Sequence, residues 1–236
     1  MNESHSIVSR QDWLEARKQL LAREKELTRM RDELSQARRE LPWERVEKRY
    51  VFQTESGDKA LAELFGDKRQ LVVYHFMFGP DWQQGCPSCS FWADNFNGIT
   101  EHLAHRDVSF TAISRAPLPK LQSYAKRLGW TFPWVSSSET DFNFDYGVSF
   151  RPEERAAGKA TYNYEPTKGA FEEREGISAF YKDGSGAVFH TYSCYARGVE
   201  SMNAAYGYLD ITPKGRDEAE LPFPQAWVKR GDEYER

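Results

Sequence analysis

Cys86 and Cys89, in the run Cys86-Pro87-Ser88-Cys89, are the residues of this chain best spaced for chemistry. Thiol–disulfide exchange needs one thiolate to attack a disulfide and a second thiol to resolve the mixed disulfide. Two cysteines at this spacing supply both if a helix begins between them. Pro87 suits a first helical turn, where its missing N–H costs nothing. The unpaired amide N–H groups and dipole of a helix start favour a cysteine anion. Cys86 is therefore the expected nucleophile and Cys89 the resolving thiol. Arg115, just past the predicted strand ending Ile113-Ser114, is the cation expected nearest Cys86, where it would stabilise the thiolate.

Metal binding and an inert pair are the competing readings. A closed zinc site usually takes a second CxxC or an HxxxH. The chain has neither, and His102-Leu103-Ala104-His105 leaves only two residues between its histidines. His190 or Cys194 would be the further ligand of a copper or zinc site. No metal site is assigned, and no cofactor is expected. Cys194 follows a predicted hairpin strand and reads first as a small buried thiol. His75 lies inside an apolar run and reads as a core histidine. His190 lies on the last hairpin strand, with a place beside the dithiol as its alternative.

The elements that would position these residues follow from periodicity. Residues 11–41 read as one long helix, with Trp13, Leu20, Leu27, Leu34 and Leu41 recurring every seven residues. Ala16, Met30 and Ala37 share the adjoining seam, Arg23 interrupts it, and Pro42 stops the helix. That helix either lies across its own domain or pairs with a second copy. Leu71 to Phe78 is a near-continuous apolar run, the mark of a strand buried on both faces. The dithiol and an aromatic-rich helix follow it. Val108–Ile113 reads as a strand and Pro119–Leu128 as a helix. Phe132–Val135 is extended, and Gly57-Asp58 reads as a turn. Ile177–Tyr181 and Ala187–Tyr192 flank Asp183-Gly184-Ser185-Gly186 as a hairpin. A helix near Val199–Leu209 closes the domain. This order implies a mixed central sheet covered by helices, with sites at the carboxyl ends of its strands. The domains read as a helical extension over 1–45, a domain over 46–212 with a polar insertion at 151–175, and a tail over 213–236. The insertion is expected to fold over the dithiol, with Tyr162 and Tyr164 lining it.

Composition limits the partners. The 236 residues are 39% hydrophobic and 14% aromatic, enough for a core. A net charge of −4 gives no footprint for nucleic acid. The longest apolar run is too short to cross a bilayer, so no membrane association is expected. Three cysteines are not a secreted disulfide framework, and a cytoplasmic location is expected.

The segment Phe76-Met77-Phe78-Gly79-Pro80-Asp81-Trp82, leading into Gly85-Cys86-Pro87-Ser88-Cys89-Ser90-Phe91-Trp92, resembles a family of bacterial thioredoxin-like proteins. The family is known as domain of unknown function 899, and its members are often described as predicted dithiol-disulfide isomerases. His102–Asp107, Ser114–Pro117, Gly129–Ser137, His190–Ser193, the N-terminal helix and Leu209–Arg216 also match, so the resemblance covers nearly the whole chain. It implies an α/β, thioredoxin-like fold: a mixed central sheet flanked by helices, here with a long N-terminal helix. Lys120–Val148 resembles peroxiredoxins more loosely, through Phe132-Pro133-Trp134-Val135 and Tyr146-Gly147-Val148. Those enzymes place Pro and Thr seven and three residues before the peroxidatic cysteine, where this chain has Gly79 and Gln83. Thioredoxins place Trp before the first cysteine and a proline opposite the dithiol, where this chain has Gly85 and Gly176-Ile177-Ser178.

These readings combine into a thiol–disulfide oxidoreductase acting on a small-molecule or protein disulfide, recharged by a cellular reductant. Cys86, Cys89 and Arg115 are its expected catalytic residues, and Trp82, Ile177 and Tyr162 its substrate contacts. The alternatives are a metal-binding protein using the same cysteines and a non-catalytic interaction module. A homodimer through the N-terminal helix is compatible with each.

Overall fold

Helix α1, Arg10–Arg39, fills most of the first of two units into which the chain divides at Pro42. The computed structural model describes residues 5–167 and 171–235. Ser9 caps α1, its Oγ accepting the Asp12 N–H at 3.2 Å, which satisfies a donor that no helical carbonyl reaches. No residue of α1 is buried.

The second unit, from Trp43, is built on an eight-stranded sheet. Its strands are β1 (Glu44–Arg45), β2 (Val51–Thr54), β3 (Gly57–Ala60), β4 (Gln70–His75), β5 (Val108–Ser114) and β6 (Trp134–Ser136), then β9 (Gly176–Lys182) and β10 (Val188–Tyr195). Between these, β7 (Thr161–Tyr162) and β8 (Glu165–Pro166) form a small separate hairpin. The helices are α2 (Pro87–Ala93), α3 (Thr100–Ala104), α4 (Leu118–Leu128), α5 (Phe142–Asp145), α6 (Pro152–Ala156) and α7 (Ala204–Leu209). The sheet runs β1-β10-β9-β4-β5-β6-β2-β3. Strands β4, β5 and β6 are parallel, as their helical crossovers require, while β9 and β10 add as an antiparallel hairpin on the other side of β4. Parallel strands joined through helices, with a hairpin added beside the first, form a thioredoxin-like sheet. This is the fold class expected from the sequence.

Strand alternation sorts the side chains into two cores. Tyr74, with Phe76 and Phe78 just beyond β4, packs against α2, α4 and α7 through Trp92, Leu121, Tyr124 and Tyr206. Leu71 and Val73 face the other way, onto Phe52, Leu61, Phe65 and Phe142. The buried apolar run is thus a strand only as far as His75. Phe76 to Phe78 leave the ladder while staying in or against the core, and this exit starts the dithiol loop.

Several local expectations change. Gly57-Asp58 opens β3, and the turn lies two residues earlier, at Glu55-Ser56. Gly57 takes a φ of +99°, which a side chain would disfavour. The closing helix is a 3-10 segment, Ala196–Met202, followed by α7, with Asn203 capping the Tyr206 N–H at 3.2 Å. The insertion carries α6 and the β7–β8 hairpin, and its residues 168–170 lie outside the described ones. No helix among the described residues is long and apolar enough to cross a membrane.

Candidate active site

The dithiol sits where the chain leaves β4, loops out over Gly79–Gly85 and enters α2. Cys86 is the N-cap residue of α2 and Pro87 its first residue. Two hydrogen bonds tie the ends of the loop together. The Cys86 N–H donates to the Met77 carbonyl at 3.0 Å, and the Met77 N–H donates to Cys89 Sγ at 3.4 Å. Lys120 Nζ donates to the carbonyls of Pro80 (2.8 Å) and Trp82 (3.1 Å), holding the loop from α4.

Gly85 stands where thioredoxins carry Trp, and packing explains the exchange. A Cβ on Gly85 would lie 2.7 Å from Cε1 of Phe76 and 3.3 Å from the Tyr124 ring. The Gly85 carbonyl accepts bonds from Arg230 Nη2 (2.7 Å) and the Tyr124 hydroxyl (3.3 Å). Arg230 Nε also donates to that hydroxyl at 2.7 Å, and Trp227 packs edge-on against Phe91 of α2 at 5.4 Å. The polar C-terminal tail therefore anchors the dithiol loop. In the sequence Trp227 reads as an aromatic anchor of a polar tail, but nothing local points to its target or to Arg230.

The two thiols differ sharply. Cys86 is half-buried, and Cys89 is fully buried. The Cys86 thiol is lowered from 9.0 to about 7. The largest cause is hydrogen bonding from the Cys89 thiol, helped by the backbone N–H groups of Cys89 and Ser88, against burial and the Glu175 carboxylate. Burial, then the neighbouring Cys86, pushes Cys89 well above the usual thiol range. Cys86 is thus the thiol that ionises, and Cys89 the one that keeps its proton. The buried Tyr74 hydroxyl faces Cys89, and among the described residues no group meets it at hydrogen-bonding geometry.

The sequence-derived site residues fall in different places. Ile177 pairs across the sheet with Tyr74 on one side and Cys194 on the other, and all three enter the core that holds Cys89. Trp82 and Cys86 pack at the edge of that core. The Tyr162 hydroxyl donates to the Glu175 carbonyl at 2.9 Å and accepts the Ala196 N–H at 2.9 Å, joining the insertion to the start of β9. The Tyr164 hydroxyl donates to the Ser193 carbonyl at 3.0 Å. Arg115 is engaged by Glu173 at 2.7 Å and stacks on Phe144. Ser149 Oγ donates to the same carboxylate at 2.6 Å. Despite both partners, burial dominates and raises Glu173 to about 7. Glu175, two residues on, is the charge that acts on both cysteines. It was not singled out from the sequence, where it is one acid among many in a charge-rich insertion.

His190 lies on the opposite face of the sheet from the dithiol. Its Nε2 bonds Ser193 Oγ (2.7 Å), which bonds Ser178 Oγ (2.8 Å), which bonds His75 Nε2 (2.8 Å). Burial lowers His75 to about 3, so its imidazole is neutral. This chain ends beside a cavity of about 710 Å³ lined by Glu44, Tyr50, Tyr146 and His190 among others. Among the described residues, no three His, Cys, Asp or Glu side chains are gathered as a metal site.

With this geometry in place, comparison gives the family. A family model described as "Bacterial protein of unknown function (DUF899)" matches residues 2–234. The chain belongs to the DUF899 family. No curated protein matches it in sequence. Among solved structures, peroxidoxin BcpB from Mycobacterium tuberculosis is similar at a TM-score of 0.46 and 14% identity, covering 70% of this chain and 94% of that one. A mutant of Xanthomonas campestris peroxiredoxin Q is similar at 0.46 and 13%, covering 67% and 90%. A yeast mitochondrial 1-Cys peroxiredoxin is similar at 0.40 and 13%, covering 69% and 74%.

Proposed function

We propose that this DUF899 protein is a cytoplasmic thiol–disulfide oxidoreductase working through Cys86 and Cys89. The observation that carries the reading is the division of labour at one helix start. A half-buried thiol lowered to about 7 lies beside a buried thiol that donates to it. Such a nucleophile is substantially ionised near neutral pH, close to the optimum for attack.

The Cys86 thiolate attacks one sulfur of a substrate disulfide, and the other sulfur leaves as a thiolate that takes a proton from solvent. Cys89 loses its proton and attacks Cys86 Sγ, forming the Cys86–Cys89 disulfide and releasing the second substrate thiol. Two electrons pass from the dithiol to the substrate, and a cellular thiol reductant returns them. In this reading Trp82, Tyr162 and Ile177 contact the substrate; Trp82 and Ile177 share the core that Cys86 packs against, which supports their part. Arg115 acts as a positioning residue, because its ion pair with Glu173 holds the segment that brings Glu175 to the thiols. Partial exposure of Cys86 suits a small-molecule or extended-peptide disulfide. Equilibration of metal-free protein with glutathione buffers tests the reading: a reversible two-electron couple, absent in Cys86→Ser, is expected. A dithiol that stays reduced throughout overturns it.

A further inference from the structure

We propose that α1 pairs with α1 of a second copy of this chain as a parallel, in-register, two-stranded coiled coil. The stripe Trp13, Leu20, Leu27 and Leu34 recurs every seven residues, and each of the four is 49% to 53% exposed. A seven-residue repeat drifts slowly around a straight helix, and a left-handed supercoil keeps such a stripe facing a partner. Ala16, Arg23, Met30 and Ala37, each three residues further on, complete the seam. Met30 is 64% exposed.

The charges beside the stripe select the partner and its direction. The residues just before the stripe positions are Asp12, Gln19, Glu26 and Glu33. Those four positions after are Arg17, Glu24, Arg31 and Arg38. One flank is acidic and the other mainly basic. In a parallel pair, each first-flank residue meets the partner's second-flank residue five positions later. Asp12 then meets the partner's Arg17, Glu26 the partner's Arg31, and Glu33 the partner's Arg38. An antiparallel pair sets acid against acid along one side and Arg31 and Arg38 among bases along the other.

The exceptions fall in a single heptad and fit together. Arg23 is the one charged residue in the seam, and a parallel pair places it beside the partner's Glu24, the one acid on the basic flank. Gln19, facing the partner's Glu24 from the other side, is the one uncharged member of the acidic flank, so no acid meets acid there. Within one chain, Glu24 is already drawn to this flank by an ion pair with Arg17 at 2.8 Å. A solvated single helix has no need for its three exceptions to coincide.

The test is sedimentation equilibrium of the full chain at micromolar concentration, with oxidative crosslinking of Leu34→Cys. The expected mass is twice 27.4 kDa. Leu27→Glu with Leu34→Glu, at positions where nothing is buried, should return it to the single-chain value. Peptide mapping of Leu34→Cys should find a homodisulfide at position 34. A single-chain mass for the unmodified protein overturns the proposal, as does a dimer that survives both seam charges. Crosslinking of Leu34→Cys only when mixed with Ala16→Cys, the seam position that an antiparallel overlap of Arg10–Arg39 sets opposite it, reports an antiparallel pair and also overturns it.

Discussion

Replacing Cys89 with alanine removes the donor that contributes most to the low Cys86 pKa. At about 7, roughly half of Cys86 is thiolate at neutral pH; at the ordinary 9.0, about 1% would be. The backbone N–H groups of Ser88 and residue 89 remain, but so do burial and Glu175, which oppose them. The midpoint should therefore climb toward 9.0 in Cys89→Ala. The rate at pH 7 falls less than the thiolate fraction, because a more basic thiolate is a better nucleophile. A roughly 50-fold loss of thiolate is partly offset by an about 6- to 10-fold gain in reactivity. Alkylation at pH 7 should drop about five- to eightfold, and the pH midpoint is the cleaner readout. Cys89→Ser keeps an O–H donor and should hold the midpoint closer to 7. The assay is the iodoacetamide rate at the Cys86 peptide against pH. A Cys89→Ala midpoint still near 7 would refute the claim that the buried thiol activates its neighbour.

Glu173 titrates near 4.5 in an unfolded chain but is raised to about 7 here, so the folded state binds this proton more tightly. Its contribution to stability is full below about 4.5 and is lost as pH rises through about 7, at most about 3 kcal/mol. Glu173→Gln should flatten the fall in Tm between pH 5 and pH 8, and an unchanged slope would contradict the account. Gly85→Ala drives a Cβ to 2.7 Å from Phe76, whose ring is held by Trp134 at 4.6 Å and Trp130 at 5.9 Å. Overpacking there should cost about 1–3 kcal/mol, read as a lower urea midpoint; wild-type stability would mean the loop yields freely.

What was legible in the sequence was what short-range pattern encodes. The apolar run marked β4, the turn residues Asp183–Gly186 between two strand-like runs marked the β9–β10 hairpin, and Pro87 between two cysteines marked the start of α2. The helix expected over Pro119–Leu128 is α4, and the structure ends it on Gly129 at a φ of +71°. What was not legible depends on distance along the chain. Arg230 reaches the Gly85 carbonyl across 145 residues, from a polar tail whose aromatic anchors Phe223, Trp227 and Tyr234 are legible but whose target is not. The pairing of β2 with β6 rests on a single register partner, Gln53 with Ser136, and has no periodic signature. Glu175 acts on the dithiol only because β9 lies beside β4. The separation of His190 from the dithiol follows from a bulge between His190 and Tyr192, which resets the side-chain alternation along β10.

The most direct measurement is the thiol–disulfide equilibrium of Cys86 and Cys89 across glutathione buffers, with metal content determined on the same samples. The account predicts one reversible two-electron transition in metal-free protein, with a Cys86–Cys89 linkage found by peptide mapping and lost in Cys86→Ser. A dithiol that remains reduced across the range, or a transition unchanged in Cys86→Ser, would contradict it.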